Sequence, residues 1–201
     1  RGSELDHVNE SAPTFPRSFS AYIASKAQAE KLVIDANSTG FRTIVLRPPG
    51  IWGPGDAFTR ALKGGGAFAF ISRGEYPCVT CHADNVAEAV SCALAGCTGG
   101  RAYFINDPEP TTFREFASSV GEAVGVDLSR ARSVPYGVAW YSGLALEGLW
   151  ALGGARHDPP LSRTLVRLIG RRFVTDDSEA RRDLGYRGTL SRAQGLAQYR
   201  P

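Results

Sequence analysis

The 201-residue chain has no methionine, and only three of its 23 basic residues are lysines. The arginine preference reads as a genome-wide bias, which makes each lysine conspicuous. Net charge is also scarce, and +3 is too mild a balance to argue for nucleic acid as a partner. There is no apolar run of the ~20 residues a membrane-spanning helix needs. The longest such stretch, 137–154, is interrupted by Glu147. The polar, charged start shows no secretory signal, so the cytoplasm is the expected compartment. No glycine-rich phosphate loop follows a strand pattern: Gly64-Gly65-Gly66 is a plain run, and Gly121 and Gly125 sit in or after a helical pattern. Cys78-Val79-Thr80-Cys81-His82 spells a CxxCH haem-attachment signal, but the chain offers no methionine as a second axial ligand and only His7 and His157 besides. A second CxxC to complete a zinc site is also missing, and alternate residues of a strand point to opposite faces. With Cys92 and Cys97, these cysteines are expected as free thiols, and no metal site is expected.

What is present fits a globular α/β chain. Hydrophobic residues make up 43% and charged residues 21%, enough for one sizeable core. Residues 156–201 hold ten arginines against five acids, whereas residues 1–155 hold 13 basic against 15 acidic residues. The arginines are mixed with Asp and Glu, so a solvated helical face is preferred over a surface for an acidic partner.

The most informative stretch is Tyr22-Ile23-Ala24-Ser25-Lys26. At a spacing of four, a phenol and an ammonium share one helix face, one turn apart. A cation beside a phenol favours the phenolate, which is otherwise a minor species at neutral pH. A turn-rich approach containing Pro13 and Pro16 precedes the motif, and good helix formers follow it to near Asn37. Thr43-Ile44-Val45-Leu46 reads as a buried parallel strand ending in Arg47-Pro48-Pro49-Gly50-Ile51-Trp52-Gly53-Pro54-Gly55-Asp56. Helix, strand and rigid loop make half of a doubly wound unit, whose ligands bind at the carboxyl ends of the strands. Further along, 58–62 reads as a short helix, 67–72 as a short strand and 76–82 as a strand. Ala83-Asp84-Asn85 reads as a helix cap, 102–105 as a strand, and 112–124 as an amphipathic helix. Pro159 and Pro160 precede a helix carrying Leu161, Leu165, Val166 and Ile169, and Asp176 and Asp177 suit a helix start.

In this order, YxxxK, "LRPPGIWGPGD" and "HADNVAEAV", followed by "INDPEPTTFREF" and Asp183-Leu184-Gly185-Tyr186, resemble the extended short-chain dehydrogenase/reductase family. The closer likeness is to its 3β-hydroxysteroid dehydrogenase/isomerase branch, within the NAD-dependent epimerase/dehydratase superfamily, and it runs from about Asn9 to Gly195. The resemblance implies the C-terminal part of a Rossmann-type, doubly wound parallel sheet interleaved with a mainly helical substrate-binding region. The nominal division is 1–106 and 107–201. It implies an NAD- or NADP-dependent oxidoreductase acting on a CH–OH group of a sterol-like or other apolar alcohol or ketone. Tyr22 would be the acid/base, Lys26 its partner and the holder of the nicotinamide ribose, and Pro48, Pro49, Gly50 and Ile51 the lining of the nicotinamide face. Phe58, Phe68 and Phe70 favour an apolar substrate. Arg60, Lys63 and Arg73 keep a nucleotide-sugar epimerase or dehydratase in view. In the family, the glycine-rich nucleotide half and the catalytic Ser/Thr precede the tyrosine. Ser3 and Ser11 are assigned no such role, so the chain is expected to be a fragment, and an inactive remnant or binding partner is the remaining alternative. The expected partner is a small-molecule substrate, and a homodimer is compatible with the family. The 137–154 stretch is read as a helix packed in the substrate-covering region, with an interfacial membrane helix as the lesser alternative.

Overall fold

The structure, a computed structural model, describes residues 5–18, 20–65, 68–96, 98–153 and 159–199. Ser3, Gly66, Ala67, Cys97 and His157 lie outside the described residues. In chain order the elements are β1 (Leu5–Val8), α1 (Ala21–Asp35), β2 (Ile44–Arg47), β3 (Ile51–Trp52), α2 (Ala57–Lys63), β4 (Ala69–Ile71), β5 (Pro77–Cys78), β6 (Cys81–His82), α3 (Ala83–Gly96), β7 (Arg101–Phe104), β8 (Thr111–Thr112), α4 (Phe113–Ala123), β9 (Arg132–Val134), α5 (Tyr136–Leu152), α6 (Arg163–Gly170), β10 (Phe173–Thr175), α7 (Ser178–Asp183) and α8 (Arg192–Ala197).

Strand pairing is predominantly parallel, as expected of a Rossmann-type chain. Pairs β2·β7, β3·β6, β4·β9, β1·β10 and β10·β5 are parallel, and β5·β8 is antiparallel. Pro48 and Pro49 end β2, because proline cannot donate to a ladder. Beyond them the chain changes partner. Ile44–Arg47 run beside Arg101–Phe104, whereas Ile51 and Trp52 pair with Cys81 and His82. The 76–82 strand expected from the sequence is broken for a related reason: Cys78 pairs with Phe173 and Thr111, while Cys81 pairs with Ile51.

Side-chain caps set most helix starts. Ser20, Asp56, Thr112, Ser162 and Ser191 accept from the first turns of α1, α2, α4, α6 and α8, and Thr112 with Glu115 forms a full capping box. The cap of α3 differs from the expected Asp84/Asn85. His82 Nδ1 accepts the Asp84 N–H at 3.1 Å, while the Asn85 side chain turns inward to Asp107 and Leu190. The physical reason is that α3 leaves β6 with no intervening loop, so the last strand residue is the only side chain placed to meet the first turn.

Three apolar clusters hold the layers together. One gathers Trp52, Leu62, Phe70, Phe116 and Val120; a second Cys81, Ala89, Tyr103, Ile105, Ala180 and Tyr186; a third Ile71, Ala139 and Val166. The C-terminal segment returns to the first part of the chain. Arg101 of β7 pairs with Glu179 and Asp183 of α7 at 2.6 Å each, and the Glu88 carboxylate of α3 accepts from the backbone of Arg187, Gly188 and Thr189. Helix α8 seats on Trp52 and His82 through Gly195, where a Cβ would stand 2.7 Å from the Trp52 ring and 2.9 Å from the His82 ring.

Two outcomes follow from this packing. Gly195→Ala overpacks the Trp52–His82 contact and should lower stability by about 1–3 kcal/mol in thermal or urea denaturation. Burial, opposed by the weaker pull of Asp84 and Asp107, holds the His82 imidazole below its ordinary value. A base depressed in the folded state stabilises the fold above its unfolded value, near 6.5, and that contribution is lost as pH falls from there through the lower folded value. Urea midpoints measured between neutral and mildly acid pH should therefore fall for the native chain, and the slope should flatten in His82→Gln.

Candidate active site

The sequence of α1 builds one half of the site. Ser20 Oγ accepts the Ile23 N–H at 3.4 Å and starts the helix immediately before Tyr22. Tyr22 is 59% exposed, Lys26 is exposed, and the Lys26 ammonium lies 5.8 Å from the centre of the Tyr22 ring. The expected phenol–ammonium pair is therefore present and faces outward.

The helix is fixed against β2 at two levels. Thr43 Oγ1, at the start of the strand, donates to Val33 O at 2.7 Å. Arg47, at its end, grips Glu30 through Nε and Nη2 at 2.8 and 2.6 Å, with both side chains largely buried. A bidentate guanidinium–carboxylate pair fixes orientation as well as distance. Helix and strand thus run antiparallel, with Glu30 level with the strand's carboxyl end. At a rise of ~1.5 Å per residue, Lys26 projects about 6 Å and Tyr22 about 12 Å beyond that end. Residues 48–50 leave β2 at the same end, and Ile51 opens β3. Pro48 and Pro49 are half-buried, and Gly50 and Ile51 are exposed. Gly50 gives its carbonyl to Cys81 N at 3.2 Å and leaves its Cα side open, because a Cβ there would meet only Val79 O at 3.8 Å.

The floor beneath this end is a polar hub the sequence reading did not single out. Asp107, just past β7, is buried and accepts four hydrogen bonds: Trp52 Nε1, Thr80 Oγ1 and Asn85 Nδ2 at 2.7 Å each, and His82 N at 2.8 Å. Beside it, Asn106 exchanges hydrogen bonds with Thr175, and its carbonyl accepts from Tyr186 Oη at 2.7 Å. The available signal was the Asn106-Asp107 pair closing an apolar strand, since polar residues there need buried partners. Glu10 was also missed. Its Oε1 accepts from Phe104 N at 2.8 Å, and its Oε2 is buried with no partner among the described residues.

The loop after β3 is held rigid by Asp56, which accepts from Gly53 N, Thr59 N, Thr59 Oγ1 and Tyr199 Oη. Burial alone would raise the Asp56 carboxyl, but these hydrogen bonds outweigh it and hold the group below its ordinary value. Within α2, Arg60 turns back to donate to Gly55 O at 2.7 Å. Phe58, Phe68 and Phe70, expected to favour an apolar substrate, join one aromatic cluster, in which Phe58 and Phe70 pack against Phe113, Phe58 also against Phe116, and Phe68 against Phe58 and Phe70. Phe70 is fully buried and faces no substrate, whereas Phe58 and Phe68 are partly buried.

Cys78 and Cys81 carry no comparable chemistry. Burial pushes the Cys78 thiol up to about 11 and raises Cys81 further, with Asp107 adding to the latter. Among the described residues no cluster of His, Cys, Asp and Glu is placed to hold a metal ion. A shallow surface depression lined by Asn37, Arg42 and Gly99 lies at the amino ends of β2 and β7, away from the Tyr22 side.

Comparisons with known proteins agree with this architecture. The family model for the 3-beta hydroxysteroid dehydrogenase/isomerase family matches residues 1–136. A 4-hydroxy-2-methyl-3-oxo-4-farnesyl-3,4-dihydroquinoline-1-oxide ketoreductase of Stigmatella aurantiaca is 37% identical, over 97% of this chain and 59% of its own length. A 3 beta-hydroxysteroid dehydrogenase/Delta 5-->4-isomerase of Mycobacterium tuberculosis is 31% identical, over 100% of this chain and 56% of its own. The dTDP-glucose 4,6-dehydratase of Streptomyces venezuelae, solved with NAD and TYD bound, superposes with a TM-score of 0.66 at 23% identity, over 98% of this chain and 54% of that one, a likeness of fold alone. The chain spans a little over half the length of these curated relatives. With the family match covering residues 1–136 and the Stigmatella relative aligned along nearly the whole chain, this protein belongs to the 3-beta hydroxysteroid dehydrogenase/isomerase family.

Proposed function

We propose that this chain forms the Tyr–Lys and substrate-covering part of an NAD(P)-dependent oxidoreductase that interconverts a secondary alcohol and a ketone on an apolar, ring-bearing substrate. The observation that carries the reading is the outward-facing Tyr22–Lys26 pair, projected past the carboxyl end of β2 by the Glu30–Arg47 ion pair.

The residues present suit a nicotinamide cofactor. Lys26 offers a charged donor for a ribose hydroxyl, and Gly50, with its open Cα side between two prolines and Ile51, allows close approach of a flat ring. When bound, the cofactor supplies the hydride chemistry. The chain's own residues do the rest. Tyr22 Oη takes the proton of the substrate hydroxyl in oxidation and returns it to the carbonyl oxygen in reduction. The ammonium of Lys26, 5.8 Å from the centre of the Tyr22 ring, stands beside the phenol on the same helix face. Pro48 and Pro49 stiffen the wall opposite, so that substrate and cofactor meet at a fixed spacing.

A ketoreductase of an oxo-quinoline and a hydroxysteroid dehydrogenase among the relatives support the alcohol–ketone chemistry and an apolar substrate. A nucleotide-sugar substrate is the weaker reading, because Arg60 is turned back onto its own loop.

The test is reduction of a 3-oxosteroid by the protein carrying these residues, with NADH and NADPH in parallel. Tyr22→Phe should lower kcat by about 10²–10⁴-fold, the usual worth of a positioned acid/base, while the circular dichroism spectrum stays unchanged. Undiminished turnover in Tyr22→Phe would overturn the assignment.

A further inference from the structure

Strand β3 is two residues long, and its two side chains face opposite ways. Ile51 is 56% exposed at the wall proposed for the nicotinamide, and Trp52 is 2% exposed beneath it. Successive strand residues point to opposite faces, so whatever fixes the Trp52 side chain inward also fixes Ile51 outward. The ladder alone is a weak guide, because β3 meets only Cys81 and His82 of β6, a strand equally short.

The indole is gripped from several parts of the chain instead. Its Nε1 donates to Asp107 at 2.7 Å. The ring of His82 meets it edge to face at a centroid distance of 4.6 Å, and Phe116 of α4 does the same at 5.4 Å. The Tyr199 ring, just past α8, stacks on it at 6.3 Å. Gly195 of α8 closes the far end, where a Cβ would stand 2.7 Å from the indole Cη2. Tyr199 also reaches beyond the indole. Its hydroxyl donates to Asp56 at 2.9 Å, and the same carboxylate oxygen accepts from Gly53 N, the amide that follows Trp52. Burial, reinforced by Asp56, holds that phenol above its ordinary value, so the group stays a donor. Gly195 and Tyr199 lie beyond the residues 1–136 that the family model matches, so this part of the grip is built by the C-terminal segment. A wide, flat side chain packed on so many sides has one seat, and Gly50 and Ile51 follow it through planar peptide links.

We propose that Trp52 is a positioning residue that sets where Gly50 and Ile51 stand against the nicotinamide ring, with Gly195 and Tyr199 as its clamp. The inference rests on the redox reading for what meets the wall, and on packing for the rest.

The experiment uses the protein carrying these residues. It compares binding of the reduced dinucleotide, NADH or NADPH, with binding of ADP-ribose or 2′-phospho-ADP-ribose, which lack the nicotinamide. Trp52→Phe should weaken the dinucleotide about tenfold and leave the ribose compound within about twofold, because only the nicotinamide meets the wall. Tyr199→Leu, which strips one side of the clamp and keeps the indole, should act in the same direction by about threefold. Val166→Ala, a cavity in the third apolar cluster, should lower the melting temperature and leave that ratio unchanged. The 201-residue chain gives a ligand-free reading. Its Cys81 amide, bonded to Gly50 O, and its Gly53 amide should exchange hydrogen about tenfold faster in Tyr199→Leu and not in Val166→Ala. A ratio unmoved by Trp52→Phe and Tyr199→Leu, a ratio moved as far by Val166→Ala, or unchanged exchange would overturn the proposal. Dinucleotide binding that ignores Lys26→Ala would instead sink the redox reading, so the two failures are distinct.

Discussion

The buried carboxylate of Asp107 is the interaction on which the rest of the structure depends. Strand β3, the Thr80 turn, the start of β6 and the first turn of α3 converge on one anion through four short hydrogen bonds. A buried charge is costly unless its lone pairs are filled, and here four donors fill them. The strands concerned are only two residues long, too short to define a register through their own ladders. Asp107 supplies the fixed point they lack, and it does so at the carboxyl end of β7, where a doubly wound sheet receives its ligands.

On that floor the remaining parts take their places by simple geometry. The proline pair ends β2 and sends the chain through 48–50 to a new partner strand at Ile51. The Glu30–Arg47 ion pair sets how far α1 reaches beyond the strand, and hence where Tyr22 and Lys26 stand. Neither the ion pair nor Asp107 touches the reacting groups. They position what does, and in a site of this kind small displacements far from the chemistry carry through to rate. The helical region is attached from the other side, with Gly195 of α8 against Trp52 and His82, so the loop after β3 is clamped between the Asp107 hub and the C-terminal helices.

Much of this was legible in the sequence, for local reasons. The Tyr22–Lys26 spacing, the Pro48-Pro49 stop, the apolar strand read at 43–46 and the amphipathic helix read at 112–124 are each encoded within a few residues; the strand runs over Ile44–Arg47 and the helix over Phe113–Ala123. What escaped depends on partners far away in the chain. Asp107 meets Trp52, which lies 55 residues away, and Asn85 is drawn off its expected capping role by Leu190, 105 residues away. Periodicity could not tell a ring facing substrate from a ring facing other rings, so Phe70 read as favouring a substrate when it is core. The apolar composition of α5 was visible, but which half of it faces outward is set by Gly143 and Glu147 meeting α6.

The account rests on the claim that the carboxyl end of β2, with Lys26 above it, is where the nicotinamide ribose sits. The most direct measurement is a fluorescence titration of NADH and NADPH onto the protein and onto Lys26→Ala. The account predicts saturable binding of one of the two that weakens about tenfold or more in Lys26→Ala, as expected for loss of a charge-assisted hydrogen bond worth about 1.5–3 kcal/mol. No saturable binding, or the same affinity in both proteins, would contradict it.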